Sequence, residues 1–241
     1  MDNKVRLQKY IADCGLCSRR AAEALIEKGS VTINDKPARL GDKITPGHAV
    51  VKVDGRVIKG YTSPKAYFML YKPRGYITAA KDKDGRKCVN DIVKRERVRL
   101  YPVGRLDKDS EGLVIMTNDG ALANRLTHPK NHVPKTYRTI VGGKVDKSQI
   151  LALQNGVFIE KDGYTTAPAK VEILEQRDDR CIMYITIYEG KNRQIRNMCE
   201  AVGLEVMRLK REKIGTLSIG TLRQGQYRAL TQKEIKYLES L

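Results

Sequence analysis

Residues 104–120 read GRLDKDSEGLVIMTNDG. The second half is an apolar run, 113–117, closed by Asn118-Asp119-Gly120, which predicts a buried strand ending in a turn. The first half is charged, and Asp107, Asp109, Glu111 and Gly112 mimic a calcium loop. That pattern needs Glu at its twelfth position, flanked by helices. Here the twelfth position is Asn118, and helices do not flank the loop on both sides, only a short one through Leu126 being predicted after the turn. A charged surface turn is the plain alternative. It leaves unexplained why Arg105 and Asp107 stand so close together before a buried strand. A third reading is catalytic, and it depends on the rest of the chain.

Outward from this segment the predicted elements are mostly strands. They cover 67–70, 137–141, 169–174 and 181–188. Helices are predicted over 147–155, ended by Gly156, and over 193–202, with Ile195, Met198, Cys199 and Val202 at helical spacing and Gly203 behind them. Thr231 and Glu234 form a capping box for a last helix. Before this region lie a short helix at 6–15, a second at 19–28 capped by Ser18, and short strands broken by Asn34-Asp35, Gly41-Asp42 and Pro46-Gly47 turns. The stretch KGYTSPK (59–65) reads as a linker. The fold class expected is α+β. A small helical and β N-terminal domain, 4–60, is followed by a linker, 61–66. A larger domain, 67–241, is built on a mixed, mainly antiparallel sheet with flanking helices.

The chain has 241 residues, with 46 Lys plus Arg against 28 Asp plus Glu, a net charge of +18. Residues 1–60 hold 12 basic and 7 acidic side chains, or +5, so the remainder holds +13. Both parts are basic, which points to a polyanion, most simply nucleic acid, spanning the molecule. There is no Trp and there are only 2 Phe, but there are 12 Tyr, so base stacking must use Tyr or Arg. No stretch approaches the ~18 apolar residues of a membrane span, and the N-terminus lacks the apolar run of a secretory signal. Five cysteines at irregular spacings argue against a disulfide framework. The expectation is reduced thiols in a cytoplasm, with Cys14 and Cys17 as small buried apolar residues and no metal.

The N-terminal stretch RLQKYIADCGLCSRRAAEALIEKGSVTINDK (6–36) places Arg6, Lys9, Arg19, Arg20 and Lys28 off its apolar face. A solvated basic face is the plain alternative. The stretch resembles the RNA-binding domain named after ribosomal protein S-four, including the paired arginines after Ser18. That resemblance implies binding of structured RNA through shape and backbone. Residues 104–120 resemble the GRLD-x-x-(S/T)-x-GL-x-x-x-TNDG signature of RNA pseudouridine synthases, in the subfamily that acts on ribosomal RNA and carries an S-four-type domain. YKPRGY (71–76), KTYR (135–138), EGKNRQIRNM (189–198) and RLKREKIGTLSIGTLRQGQYRALTQKE (208–234) agree with it in order. Together the motifs cover nearly the whole chain.

The resemblance implies a pseudouridine synthase fold and a redox-neutral isomerisation that needs no cofactor. Asp107 is implied as nucleophile or base, Arg196 as the arginine that pairs with it, and Tyr137 as the ring that stacks on uracil and moves a proton. Leu209 is expected as an apolar wall opposite Tyr137, with Lys135 and Arg193 beside the substrate. Arg105 is suited to fill the space left by an extruded uridine. Lys72 and Arg74 flank a Pro-Gly turn and are expected on the RNA backbone. The partner expected is ribosomal RNA or a ribosomal precursor particle, met by a monomer. The HPK-x-x-x-x-KTY run and the RLKRE segment incline toward large-subunit (23S) RNA over small-subunit (16S) RNA. A non-enzymatic RNA-binding assembly factor is the rival. It would share the charge and the first 60 residues but has no need of Asp107, Tyr137 and Arg196 together. A nuclease ranks last, because Asp107, Asp109 and Glu111 are its only candidate metal ligands.

Overall fold

The computed structural model describes residues 4–58 and 64–241. Within it the chain forms two compact units, Met1–Lys65 and Ala66–Leu241. Residues 61–63 of the expected linker lie outside the described residues.

In the first unit, helices Leu7–Asp13 and Arg19–Glu27 bury Leu7, Ile11, Ala22 and Ile26. The Ser18 hydroxyl accepts from the Ala21 N–H at 3.1 Å and starts the second helix as a cap should. A four-stranded antiparallel sheet follows, in the order Lys36–Pro37, Val31–Ile33, Val51–Val53, Arg56–Ile58. Asn34 and Asp35, with φ of 49° and 64°, make its first hairpin turn. Arg6, Arg19, Arg20 and Lys28 are exposed, while Lys9 is half-buried and pairs with Asp13. Cys14 and Cys17 were expected to be buried, but both are half-buried at the edge of the apolar cluster. They stand in the turn between the two helices and pack against the cluster from its margin.

The second unit is built on one mixed sheet. Its main path runs Lys170–Gln176, Arg180–Ile187, Lys135–Gly142, Val206–Ile214, Glu111–Thr117, Tyr67–Lys72, Tyr227–Ala229. Only the pairing of Val206–Ile214 with Glu111–Thr117 is parallel in this path. The expected mixed, mainly antiparallel sheet is therefore present. Every residue of Glu111–Thr117 is buried, because both faces of this strand are covered. Leu113 and Ile115 belong to one apolar cluster, Val114 and Met116 to another, as the two-residue period of a strand requires. Helix Gln194–Ala201 lays Ile195, Met198 and Cys199 into the second of these clusters.

Val206–Ile214 is the longest strand and was not anticipated. Its sequence, VMRLKREKI, carries charges where a strand between two others is normally apolar. Both faces of its neighbourhood contain buried ionic groups, which explains the unusual composition.

Candidate active site

The turn between Leu106 and Glu111 places Asp107 just before the start of the interior strand Glu111–Thr117. Three parts of the 72–78 segment hold this turn from behind. The Lys72 ammonium donates to the carbonyls of Pro73 at 3.1 Å, Asp107 at 2.9 Å and Ser110 at 2.6 Å. The Gly75 N–H donates to the Lys108 carbonyl at 2.7 Å. The Thr78 hydroxyl donates to the Leu106 carbonyl at 2.6 Å and accepts from the Leu106 N–H at 3.0 Å. The backbone of the turn is thus fixed, while the Asp107 side chain stays part-exposed.

Lys72 corrects the sequence reading. It was expected on the RNA backbone, but its side chain is fully buried. Its three donors meet three carbonyls, leaving none for a phosphate. Burial pulls its pKa down to about 8, with Arg211 adding to the drop and Asp107, Asp109 and Glu111 opposing it. Arg74, two residues on, is exposed as expected.

Asp107 opens into a cavity of ≈ 260 Å³. Tyr137 and Leu209 line it and are both nearly buried. Tyr137 lies directly across from Arg211 in the sheet, and Leu209 is two residues before Arg211, so these side chains share one face. Lys135, Arg193 and Arg105 also line the cavity. Arg105 is exposed, and no ion pair joins it to Asp107 among the described residues. Lys135 donates to the Val133 carbonyl at 2.9 Å, and burial, then Arg211, lowers its pKa to about 8.

The arginines are paired differently from expectation. Arg196 was expected on Asp107, but its Nη2 lies 3.3 Å from an Asp109 carboxylate oxygen, and its Nη1 donates to the Val206 carbonyl at 3.0 Å. Arg193 reaches Asp109 at 3.3 Å and Asp107 at 3.9 Å. The reason is local. Arg193 stands in the left-handed region, φ 47°, just before the helix, and its side chain reaches the carboxylates ahead of the helical Arg196. Burial pushes the Asp109 carboxyl up, but Arg196, its own N–H and Arg193 outweigh it and hold it below its ordinary value.

Among the cavity-lining residues not singled out in the sequence are Ser110 and Arg211. Ser110 is buried, and its hydroxyl has no partner. Arg211 is also buried, 3% exposed, although it sits in the quoted RLKRE segment. The signal was present, because Leu209 and Arg211 are two apart and a strand places them on one face. Glu111 is buried on Arg208, Gln224 and Tyr71, away from the cavity. Asp107 and Glu111 therefore do not meet as metal ligands. No cluster of three His, Cys, Asp or Glu side chains suited to a metal exists among the described residues. No helix among them is long and apolar enough to cross a membrane.

Residues 66–201 match the family model described as RNA pseudouridylate synthase, and residues 5–50 match the S4 domain. The chain is 45% identical over 237 residues to the ribosomal large subunit pseudouridine synthase B of Bacillus subtilis, covering 98% of this chain and 96% of that protein. It is 38% identical over 235 residues to the dual-specificity RNA pseudouridine synthase RluF of Escherichia coli, covering 97% and 78%. A crystal structure of a pseudouridylate synthase, 32% identical, covers 97% of this chain and superposes with a TM-score of 0.69. With this sheet, this order of motifs, a family model over more than half of the chain and relatives matched over nearly its full length, the chain belongs to the RNA pseudouridine synthase family.

Proposed function

We propose that this protein converts uridine to pseudouridine at a specific position in large-subunit ribosomal RNA, with Asp107 as the group that attacks or deprotonates the substrate. The observation that carries the assignment of Asp107 is its setting. Its backbone is fixed by Lys72, Gly75 and Thr78, while its carboxylate opens into the cavity lined by Tyr137 and Leu209. A binding-only factor has no use for a carboxylate held this way. The similarity to a large-subunit enzyme over nearly the full length supports 23S over 16S RNA.

The cavity admits one nucleotide and no duplex, so the target uridine leaves its stack. Exposed Arg105 at the cavity is suited to the vacated position. Unstacking costs a few kcal/mol, which phosphate contacts along a +18 molecule offset. Arg74, Arg193 and the exposed Arg6, Arg19, Arg20 and Lys28 supply such contacts. Tyr137 stacks on the base and relays a proton late in the reaction. Arg196 acts on Asp109 and through it on the turn. The protein works as a monomer in the cytoplasm, on ribosomal RNA or a precursor particle, and the isomerisation needs no cofactor.

The test uses large-subunit rRNA transcripts tritiated at uridine C5. Wild-type protein releases tritium without added metal or cofactor. Asp107→Asn releases none yet binds the RNA with similar affinity. Turnover by Asp107→Asn would remove Asp107 from the chemistry. Release from small-subunit RNA alone would move the substrate to 16S.

A further inference from the structure

Arg211 is a buried cation without a counter-ion. Its Nε donates to the Leu113 carbonyl at 2.8 Å, and its Nη2 is buried with no partner. No carboxylate pairs with it among the described residues. Asp107 lines the same cavity but makes no ion pair with Arg211, its one ion-pair contact among the described residues being Arg193 at 3.9 Å, and three other carboxylates are engaged elsewhere. Glu111 is held by Arg208 and Gln224, Glu212 by Lys210 and Tyr184, and Asp109 by Arg193 and Arg196. Lys135 on the neighbouring strand lines the same cavity, as does the Asp107 carboxylate, and the Arg211 charge acts on Lys135 and on Lys72 behind the turn. Burying a charge is costly unless a partner compensates it. A guanidinium kept in this cavity wall with no ion pair to the Asp107 carboxylate across the same space is therefore arranged for negative charge that arrives with a ligand.

We propose that Arg211 is the electrostatic residue for the uracil itself, stabilising the negative charge that gathers on the base when its bond to ribose breaks. The inference rests on the isomerase reading above. In that reaction the C1′–N1 bond breaks and its electron pair stays on uracil, spread over N1, O2 and O4. The base then turns, C5 bonds to C1′, the C5 proton leaves to water, and N1 takes a proton from water. Addition of Asp107 to the ring before cleavage also places negative charge on a ring carbonyl. A fixed cation in the wall serves either route, and it serves every orientation of the turning base. A hydrogen bond to one atom would not.

The experiment compares wild type, Arg211→Met and Arg211→Lys under single-turnover conditions on large-subunit rRNA. One RNA carries uridine and the other 5-fluorouridine, whose fluorine withdraws electrons and lets the departing base hold its charge with less help. Consumption of the target nucleoside is read by mass analysis after digestion, RNA affinity by filter binding, and folding by thermal melting. Arg211→Met slows uridine consumption by about 100-fold, and it slows 5-fluorouridine consumption far less. Arg211→Lys recovers part of the loss. RNA affinity stays within about twofold and the melting temperature within a few degrees, since the lost charge had no ion-pair partner and one carbonyl hydrogen bond is lost. Equal slowing of the two substrates, or wild-type rates in Arg211→Met, overturns the proposal. A loss that follows RNA affinity makes Arg211 a phosphate contact and overturns it too. If wild type consumes neither substrate, the isomerase reading falls first and the inference with it.

Discussion

Gly112 and Arg211 face each other across the parallel strand pair at the centre of the sheet, and no β-carbon fits between them. One added at 112 would stand 2.7 Å from the Arg211 nitrogen and closer still to its carbonyl oxygen. Gly112 also has φ +112°, which L side chains rarely adopt. This contact joins the Asp107 turn to the strand that carries Leu209 and Arg211. Gly112→Ala combines backbone strain with overpacking, and we expect it to lower stability by about 2–4 kcal/mol. Urea denaturation reads this directly. A midpoint within error of wild type would show that the two strands can separate freely.

The second prediction concerns the paired arginines. Because Arg196 meets Asp109 and not Asp107, Arg196→Ala and Asp109→Asn should not add. Both groups are part-exposed or flanked by solvent, so a coupling energy of about 0.5–1 kcal/mol is expected. The combination of Arg196→Ala with Asp107→Asn should be additive within about 0.3–0.5 kcal/mol. Thermal or urea unfolding of both double-mutant cycles distinguishes the pairings. Strong coupling to Asp107 would restore the pairing that the motif order implied.

The third prediction separates affinity from chemistry. Arg19 and Arg20 are exposed on the second helix of the N-terminal unit. Replacing both with Ala should raise the RNA concentration needed for half-maximal rate and leave the rate at saturation unchanged. If each contacts one phosphate, the slope of log affinity against log salt falls by about 1 for each arginine lost. An unchanged slope would make this helix a solvated face. A fall in the saturated rate would give these residues a part in positioning the target.

How far the sequence could be read differs from residue to residue. Strand 113–117 was legible because both of its faces are buried, and a doubly buried strand reads as an unbroken apolar run. The expectation for Asp107 rests on the order of five motifs, which needs no knowledge of geometry. Val206–Ile214 was not, because Arg208 and Lys210 serve Glu111 and Glu212 on one face while Arg211 faces the cavity on the other. Charges with buried partners look the same in a sequence as charges in water. Lys72 failed for a related reason. Two of its three carbonyl partners are brought by a turn 35 residues away or more, and carbonyls carry no sequence signal. The choice of Asp109 over Asp107 by Arg196 depends on how one tight turn aims two side chains, which residue spacing does not encode.

The buried Lys72 makes the last prediction, and its sign can be worked out. Its folded pKa is about 8, below its ordinary value of 10.5. The unfolded chain therefore binds one more proton than the folded chain between these values, and stability contributed at this site rises with pH across the window. Below about pH 8 the folded protein carries a desolvated ammonium, and its cost is fully present. Above that pH the amine is neutral when folded and the cost is relieved. One pH unit corresponds to about 1.4 kcal/mol, so from pH 7 to 9.5 wild type should gain about 1–2 kcal/mol relative to Lys72→Met. Taking the difference between the two proteins cancels Lys135, lowered in the same sense, and Tyr67, raised by burial and Asp119. Urea midpoints at the two pH values measure it. A constant difference would mean that the ammonium titrates normally, and that its three carbonyl bonds fully compensate its burial. The same variant should lose most isomerase activity at both pH values, because the carbonyls of Asp107 and Ser110 then have no clasp.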